Sequence, residues 1–284
     1  MLTGWLIYSK QDIKRNKSYI EWFIEEAEIQ QVKLTLMVRE NMQVGLQEGK
    51  IYLSYQNENV SLPDFAVVRT VEPLLNMHLE SLGLRVFNPF EVSDLCNHKM
   101  KTYYAMTKLN VPIMNTMMVK RNHLTEIPPS PYPFVIKEST GRGGGQVHFI
   151  EKEEDWKEIY NNFTTEDLVL QNTDVQKGKD LRVFVIGKEI ISAVLRVNEG
   201  SFHANYSLGG SARKYELNDD EKQLINKIVQ AYPFDLVGID FLVGYDGQLI
   251  FNEIEDVVGS RILSAVTNIN LLEKYVSYIK EQLT

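Results

Sequence analysis

The stretch LVGIDFLVGYDGQLIFNEIED, residues 236–256, decides how the rest of the chain is read. Apolar residues run from Leu236 to Leu242 and again from Leu249 to Phe251. A polar turn at Tyr245-Asp246-Gly247 lies between them, which is the pattern of two strands joined in a hairpin. Asp240 interrupts the first run. Glu253 and Glu255 follow the second and, two residues apart on a strand, point to one face. Three carboxylates converging on one face repel each other, and a hard divalent cation with oxygen ligands resolves that repulsion. Mg²⁺ commonly combines a few carboxylates with phosphate oxygens, so the set also points to a phosphate-bearing ligand. The plainer alternative is a solvated strand face. An aspartate inside an otherwise apolar strand weighs against it.

A second feature fits a phosphate ligand. Gly141-Arg142-Gly143-Gly144-Gly145 stands between two strand-like runs, Phe134 to Lys137 and Val147 to Ile150. With no Cβ at four of five positions, backbone N–H groups can close over a polyphosphate. The spacing is not that of a P-loop, which needs Gly-Lys-Ser/Thr leading into a helix. Alone the cluster reads better as an ordinary mobile hairpin turn. Lys137 strengthens the phosphate reading, because a lysine at the end of an apolar strand needs an anion unless it snorkels out to water.

Upstream, strand and helix alternate. Trp5 to Tyr8, Val32 to Val38, Phe65 to Val68 and Val86-Phe87 read as strands, with helical spacing over Ile20 to Ile29 and Leu74 to Leu82. That is a small α/β layer with a mostly parallel sheet, placed at residues 1–94. Arg69 ends one of its strands, where either a substrate anion or solvent would meet it. From His98 onward hairpins dominate: Leu181 to Ile186 with Glu189 to Val197, and the pair quoted above. Helices are expected at His98 to Leu109, Glu154 to Asn161, Asp219 to Ala231 and Leu271 to Leu283. This second part is α+β.

Of the 284 residues, 44% are hydrophobic, enough for a substantial core, and the net charge is −8. No basic stripe with interleaved aromatics is present, which argues against nucleic acid as a partner. The single cysteine, Cys96, excludes a disulfide framework and a cysteine-based zinc site, and a reducing cytoplasmic setting is expected. The N-terminal apolar run is too short for a signal sequence and no stretch approaches a membrane span, so no membrane role is expected.

In order and spacing these features resemble the ATP-grasp ligases, in particular the branch with the ribosomal-protein S6 glutamate ligase and the LysX-type ligases. The resemblance extends over about residues 60–284. It implies an ATP-grasp fold behind a Rossmann-like N-terminal domain, with boundaries at 1–94, 95–172 and 173–284. It also implies an ATP-dependent ligase that joins a carboxylate to an amine through an acyl-phosphate, with ADP and phosphate as products. A phosphotransferase and a non-catalytic nucleotide-binding module stand as alternatives.

The cofactors implied are ATP and Mg²⁺ or Mn²⁺, the metal being held by Asp240, Glu253 and Glu255. Lys99 and Lys137 are expected on phosphates, with Gly141, Gly143, Gly144 and Gly145 closing over them. Gln171, Asn172 and Thr173 are expected near adenine, Asp180 near ribose, and His203 and Asn205 near the phosphates. Lys137, Arg182, Asn205 and Arg261 take the catalytic roles. The substrate implied is an amino acid, a peptide or a carrier-protein terminus, and the chain is expected as a homo-oligomer. Four places depart from the family pattern: Glu255 replaces an asparagine, Asn172 a glutamate, His203 an arginine, and Asp256-Val257-Val258-Gly259-Ser260-Arg261 a proline-glycine turn.

Overall fold

The computed structural model describes residues 1–140, 146–198, 200 and 210–284. Its first unit comprises β1 (Leu2–Tyr8), α1 (Lys10–Arg15), α2 (Lys17–Ile29), β2 (Val32–Val38), β3 (Met42–Gln47), β4 (Lys50–Tyr55), β5 (Glu58–Asn59), β6 (Phe65–Val68), α3 (Pro73–Ser81) and β7 (Arg85–Phe87). β2, β1, β6 and β7 form one sheet in that order, and every pairing in it is parallel. Both faces are covered, which explains the unbroken apolar runs. Leu6, Tyr8, Phe65, Val67 and Phe87 face one core, while Trp5, Ile7, Ala66, Val68 and Val86 face another. Gly4 is required here, because a Cβ would stand 2.2 Å from the Phe65 ring.

The sequence pattern leaves residues 39–62 unassigned, and the structure fills them with an antiparallel meander of β3, β4 and β5. Its turns carry positive φ at Glu48 and Gly49 and at Gln56 and Asn57, the conformation of two-residue hairpin turns. Neither Glu-Gly nor Gln-Asn is a strong turn signal, and the strands are half exposed.

The chain continues through α4 (Phe90–Cys96) and α5 (Lys99–Lys108) to a second sheet made of β8 (Thr116–Lys120), β9 (Phe134–Glu138), β10 (Val147–Ile150) and β11 (Asp167–Gln171). The order is β10-β9-β11-β8, all antiparallel, and α6 (Glu153–Ile159) buries Trp156 against it. β9 and β10 pair on either side of the glycine cluster, with Lys137 opposite Val147. Gly141 to Gly145 themselves lie outside the described residues.

A third sheet contains β12 (Lys179–Ile186), β13 (Glu189–Val197), β14 (Ser211–Tyr215), β15 (Leu236–Val243) and β16 (Leu249–Glu255), in the antiparallel order β14-β13-β12-β15-β16. One face packs on α7 (Asp219–Ala231) and on Met100, Tyr103 and Met106 of α5. A capping box between Asn218 and Glu221 starts α7. Part of the other face is covered by the first unit with α8 (Arg261–Val266) and α9 (Leu271–Leu283). What remains of that face is polar.

Asn88 ties the first unit to the third sheet. Its amide donates to the carbonyls of Leu236 and Asp256, and its oxygen accepts from the N–H groups of Asp235 and Leu236. No helix among the described residues is long and apolar enough to cross a membrane.

Candidate nucleotide and metal site

In the register of β15 with β16, Asp240 stands opposite Glu253 and Gly238 opposite Glu255. The register shifts between Asp240 and Phe241, whose partner is Phe251, so Asn252 is the extra residue of a β-bulge. The bulge resets the alternation. Leu249, Phe251 and Ile254 all enter the core, while Glu253 and Glu255 stay together on the polar face with Asp240. One ligand oxygen from each carboxylate lies within 4.8 Å of the others.

Arg182 is next to Asp240 on β12. Its Nε donates to Asp240 Oδ1 at 2.7 Å, and its Nη2 to Asp240 Oδ2 at 2.6 Å and Glu255 Oε1 at 2.7 Å. Arg196 on β13 donates to Asp240 Oδ2 at 2.9 Å and grips both oxygens of Asp180. Burial pushes the Asp240 carboxyl up, but the two guanidinia outweigh it and hold it down at about 2. Asp180 is pushed by burial up to about 6, against the pull of Arg196. Burial also raises Glu255, and Asp240 and Glu253 add to the rise. With all groups ionised, the four carboxylates Asp180, Asp240, Glu253 and Glu255 less two guanidinia leave two negative charges, the complement of one divalent cation. The donors are hard carboxylate oxygens, which suits Mg²⁺ or Mn²⁺.

Lys137 comes from the second sheet to meet this face. It is 5% exposed, so it does not snorkel, and its Nζ donates to Oδ1 of the bulge residue Asn252 at 3.2 Å. The ammonium lies 5.5 Å from the centroid of the Tyr103 ring. Burial pushes Lys137 down to about 8, against the opposing pull of Glu253. A buried ammonium beside a strand that carries the carboxylates fits a phosphate chain bound there.

The remaining expected residues are placed as follows. Lys99 is the first residue of α5 and its N–H donates to Ser139 O, just past β9. Gln171 ends β11 with its amide on Thr116 Oγ1 at 2.8 Å. Asn172 and Thr173 form the turn that leaves the second sheet, where Asn172 donates to Asp174 and Val175 N to Thr173 O. Asp180 is committed to Arg196 rather than open to a ribose. Arg261 is exposed at the start of α8 and its Nη2 donates to Asn16 Oδ1 at 3.4 Å. His203 and Asn205 lie outside the described residues.

Sequence reasoning missed two residues. Arg196 carried the same signal as Lys137, a cation within an apolar strand. Asn252 carried none, because the bulge that exposes it leaves no compositional trace.

A profile of the RimK-like ATP-grasp domain matches residues 96–279. The chain belongs to the RimK-like ATP-grasp family. It is similar to glutamate–LysW ligase ArgX of Sulfurisphaera tokodaii, 26% identical over 238 residues, covering 79% of this chain and 84% of that protein. It is 25% identical over 240 residues to a probable alpha-L-glutamate ligase of Haemophilus influenzae, covering 82% of this chain and 79% of the other. Among solved structures, the ATP-grasp ligase PsnB complexed with a phosphomimetic variant of its minimal precursor, Mg and ADP superposes with a TM-score of 0.72 at 14% identity, covering 99% of this chain and 98% of that one. This RimK-like protein thus has the ATP-grasp fold and is a carboxylate–amine ligase by kinship.

Proposed function

We propose that this RimK-like ligase uses ATP and Mg²⁺ to join a substrate carboxylate to the amine of L-glutamate. The observation that carries the reading is the Asp240–Glu253–Glu255 cluster facing the buried Lys137. Both sequence relatives are named for glutamate, which is taken here as the amine, and the carboxylate partner is an amino acid, a peptide or a carrier-protein terminus.

In this reading Asp240, Glu253 and Glu255 would hold the metal, which would offset phosphate charge during transfer. Arg182 and Arg196 fix the orientation of Asp240, and Arg182 that of Glu255. Lys137 holds a phosphate oxygen from the opposite sheet. The turn from Gln171 to Thr173 receives the base, and Lys99 stands beside the strand end that leads to the glycines. A substrate carboxylate oxygen attacks the γ-phosphorus and ADP leaves. The glutamate nitrogen then attacks the acyl carbon, loses a proton, and inorganic phosphate departs. The contribution of the protein is positioning and preorganised charge.

The test is isotopic. The carboxylate substrate is first found by screening acids for glutamate-dependent release of ADP, then labelled with ¹⁸O on its carboxyl. Transfer of one ¹⁸O to the released phosphate is the expected result. Unlabelled phosphate would refute the acyl-phosphate route.

A further inference from the structure

Arg69 is not a surface arginine. It follows β6 at the carboxyl end of the parallel sheet and is 8% exposed. Its Nε donates to Tyr8 Oη at 3.2 Å, and its Nη2 to the carbonyls of Val258 at 2.9 Å and Val257 at 3.4 Å. The guanidinium carbon stands 5.4 Å from the centroid of the Tyr19 ring. Among the described residues it has no carboxylate partner. Arg85 has one, and Arg182 and Arg196 have two each. A buried cation without a counter-charge is strongly unfavourable, and phenols and carbonyls replace only part of its hydration.

The groups around Arg69 share the same lack. Tyr19 Oη and Thr70 Oγ1 are buried with no hydrogen-bond partner. Burial pushes Tyr19 up to about 12, so it keeps its proton as a donor. Tyr8 Oη already accepts from Arg69, which leaves its own proton to give. The cluster is therefore rich in donors and short of an acceptor.

Its place is also defined. In open parallel sheets, ligands bind beyond the carboxyl ends of the strands, where β1 and β6 end here. Val258, whose carbonyl Arg69 holds, packs on Gly238. A Cβ on Gly238 would lie 2.7 Å from Val258 Cγ2 and 3.6 Å from Arg182 Cδ. Arg69 thus sits one side chain behind Arg182 and the carboxylates that it orients.

We infer that Arg69, with Tyr8 and Tyr19, forms a carboxylate subsite that holds the non-reacting carboxylate of the amino-acid substrate beside the metal-binding face. The identity of that anion rests on the ligase reading, but the existence of the subsite does not.

Glutarate tests it, since it carries two carboxylates and no amine. It is titrated calorimetrically into the full chain with ADP and Mg²⁺ present. Saturable binding to the wild type is expected, weakened about tenfold or more in Arg69→Gln and less in Arg69→Lys, with ADP affinity unchanged in both. Equal glutarate affinity in wild type and Arg69→Gln, or no glutarate binding to the wild type, overturns the inference. If Arg69→Gln also loses ADP binding, Tyr19→Phe decides, because it removes a single hydroxyl. A few-fold loss of glutarate affinity supports the subsite, and no change overturns it. Glutarate binding through Arg69 in a chain that makes no amide would keep the subsite and end the ligase reading. Amide synthesis with an unchanged KM for glutamate in Arg69→Gln would do the reverse.

Discussion

At the scale of single residues, the proposed chemistry falls to Lys137 and Glu253. The ordinary value of a lysine is 10.5, and burial lowers Lys137 to about 8. Between these values the folded chain binds fewer protons than the unfolded one, so Lys137 makes stability rise with pH across that window. ATP favours the ammonium. At about pH 9, therefore, nucleotide binding takes up a proton, and its calorimetric heat depends on the ionisation enthalpy of the buffer. Lys137→Met should abolish that dependence and weaken ATP binding; buffer-independent heat in the wild type would contradict the assignment.

The carboxylates are not equivalent either. Glu253 has no ion pair among the described residues, whereas Asp240 is held by two arginines. Glu253→Gln should cost on the order of 100-fold or more in turnover but only about 1 kcal/mol in stability. Asp240→Asn should lose turnover and also about 3–5 kcal/mol, because it strips a buried charge pair. Steady-state rates and urea titrations separate the two. Residue chemistry was the most legible part of the sequence, since an aspartate or a lysine inside an apolar strand is a visible contradiction. Arg196 was equally visible and overlooked. Asp180 and Arg261 were assigned by resemblance alone, and the structure places one in an arginine pair and the other on an exposed helix start.

At the scale of elements, the strands and the long helices were readable from period and from turns, because the burial of their faces follows the alternation. The bulge at Asn252 was not, since a register shift changes which face a residue joins without changing composition. Other elements were also missed: α4 and α8 are too short for a helical period to emerge, while β3, β4, β8 and β14 are half exposed and lack the apolar run that marks a buried strand. Gly238 tests the packing at this level. Gly238→Ala pushes a methyl into Val258 Cγ2, and about 1–3 kcal/mol of destabilisation is expected. Val258→Ala should relieve most of that in the double variant, so a thermodynamic cycle in urea reads a coupling of opposite sign. Additive losses would show that the 257–259 turn does not rest on the sheet as described.

For the whole molecule, what matters is how three sheets are held so that Lys137 of the second meets the carboxylate-bearing strand of the third. The parallel first sheet was legible. The packing of α5 on the third sheet was not, because Met100, Tyr103 and Met106 look like any apolar helix stripe until their partners are known. Asn88 is the most concentrated link between the first unit and the third sheet. Its replacement by alanine strands two N–H groups and two carbonyls, so a loss of about 3–5 kcal/mol is expected from urea unfolding. A loss under about 1 kcal/mol would mean that hydrophobic packing alone joins the units.

Amide synthesis by this RimK-like chain, with ATP split into ADP and phosphate, is the proposal on which the rest depends. It is tested most directly by ³¹P NMR of the chain with ATP, Mg²⁺, L-glutamate and a pool of amino acids and short peptides. ADP and inorganic phosphate should appear only when the substrates are present and should vanish with Glu253→Gln. AMP and pyrophosphate, or a persistent phosphorylated product, would contradict it.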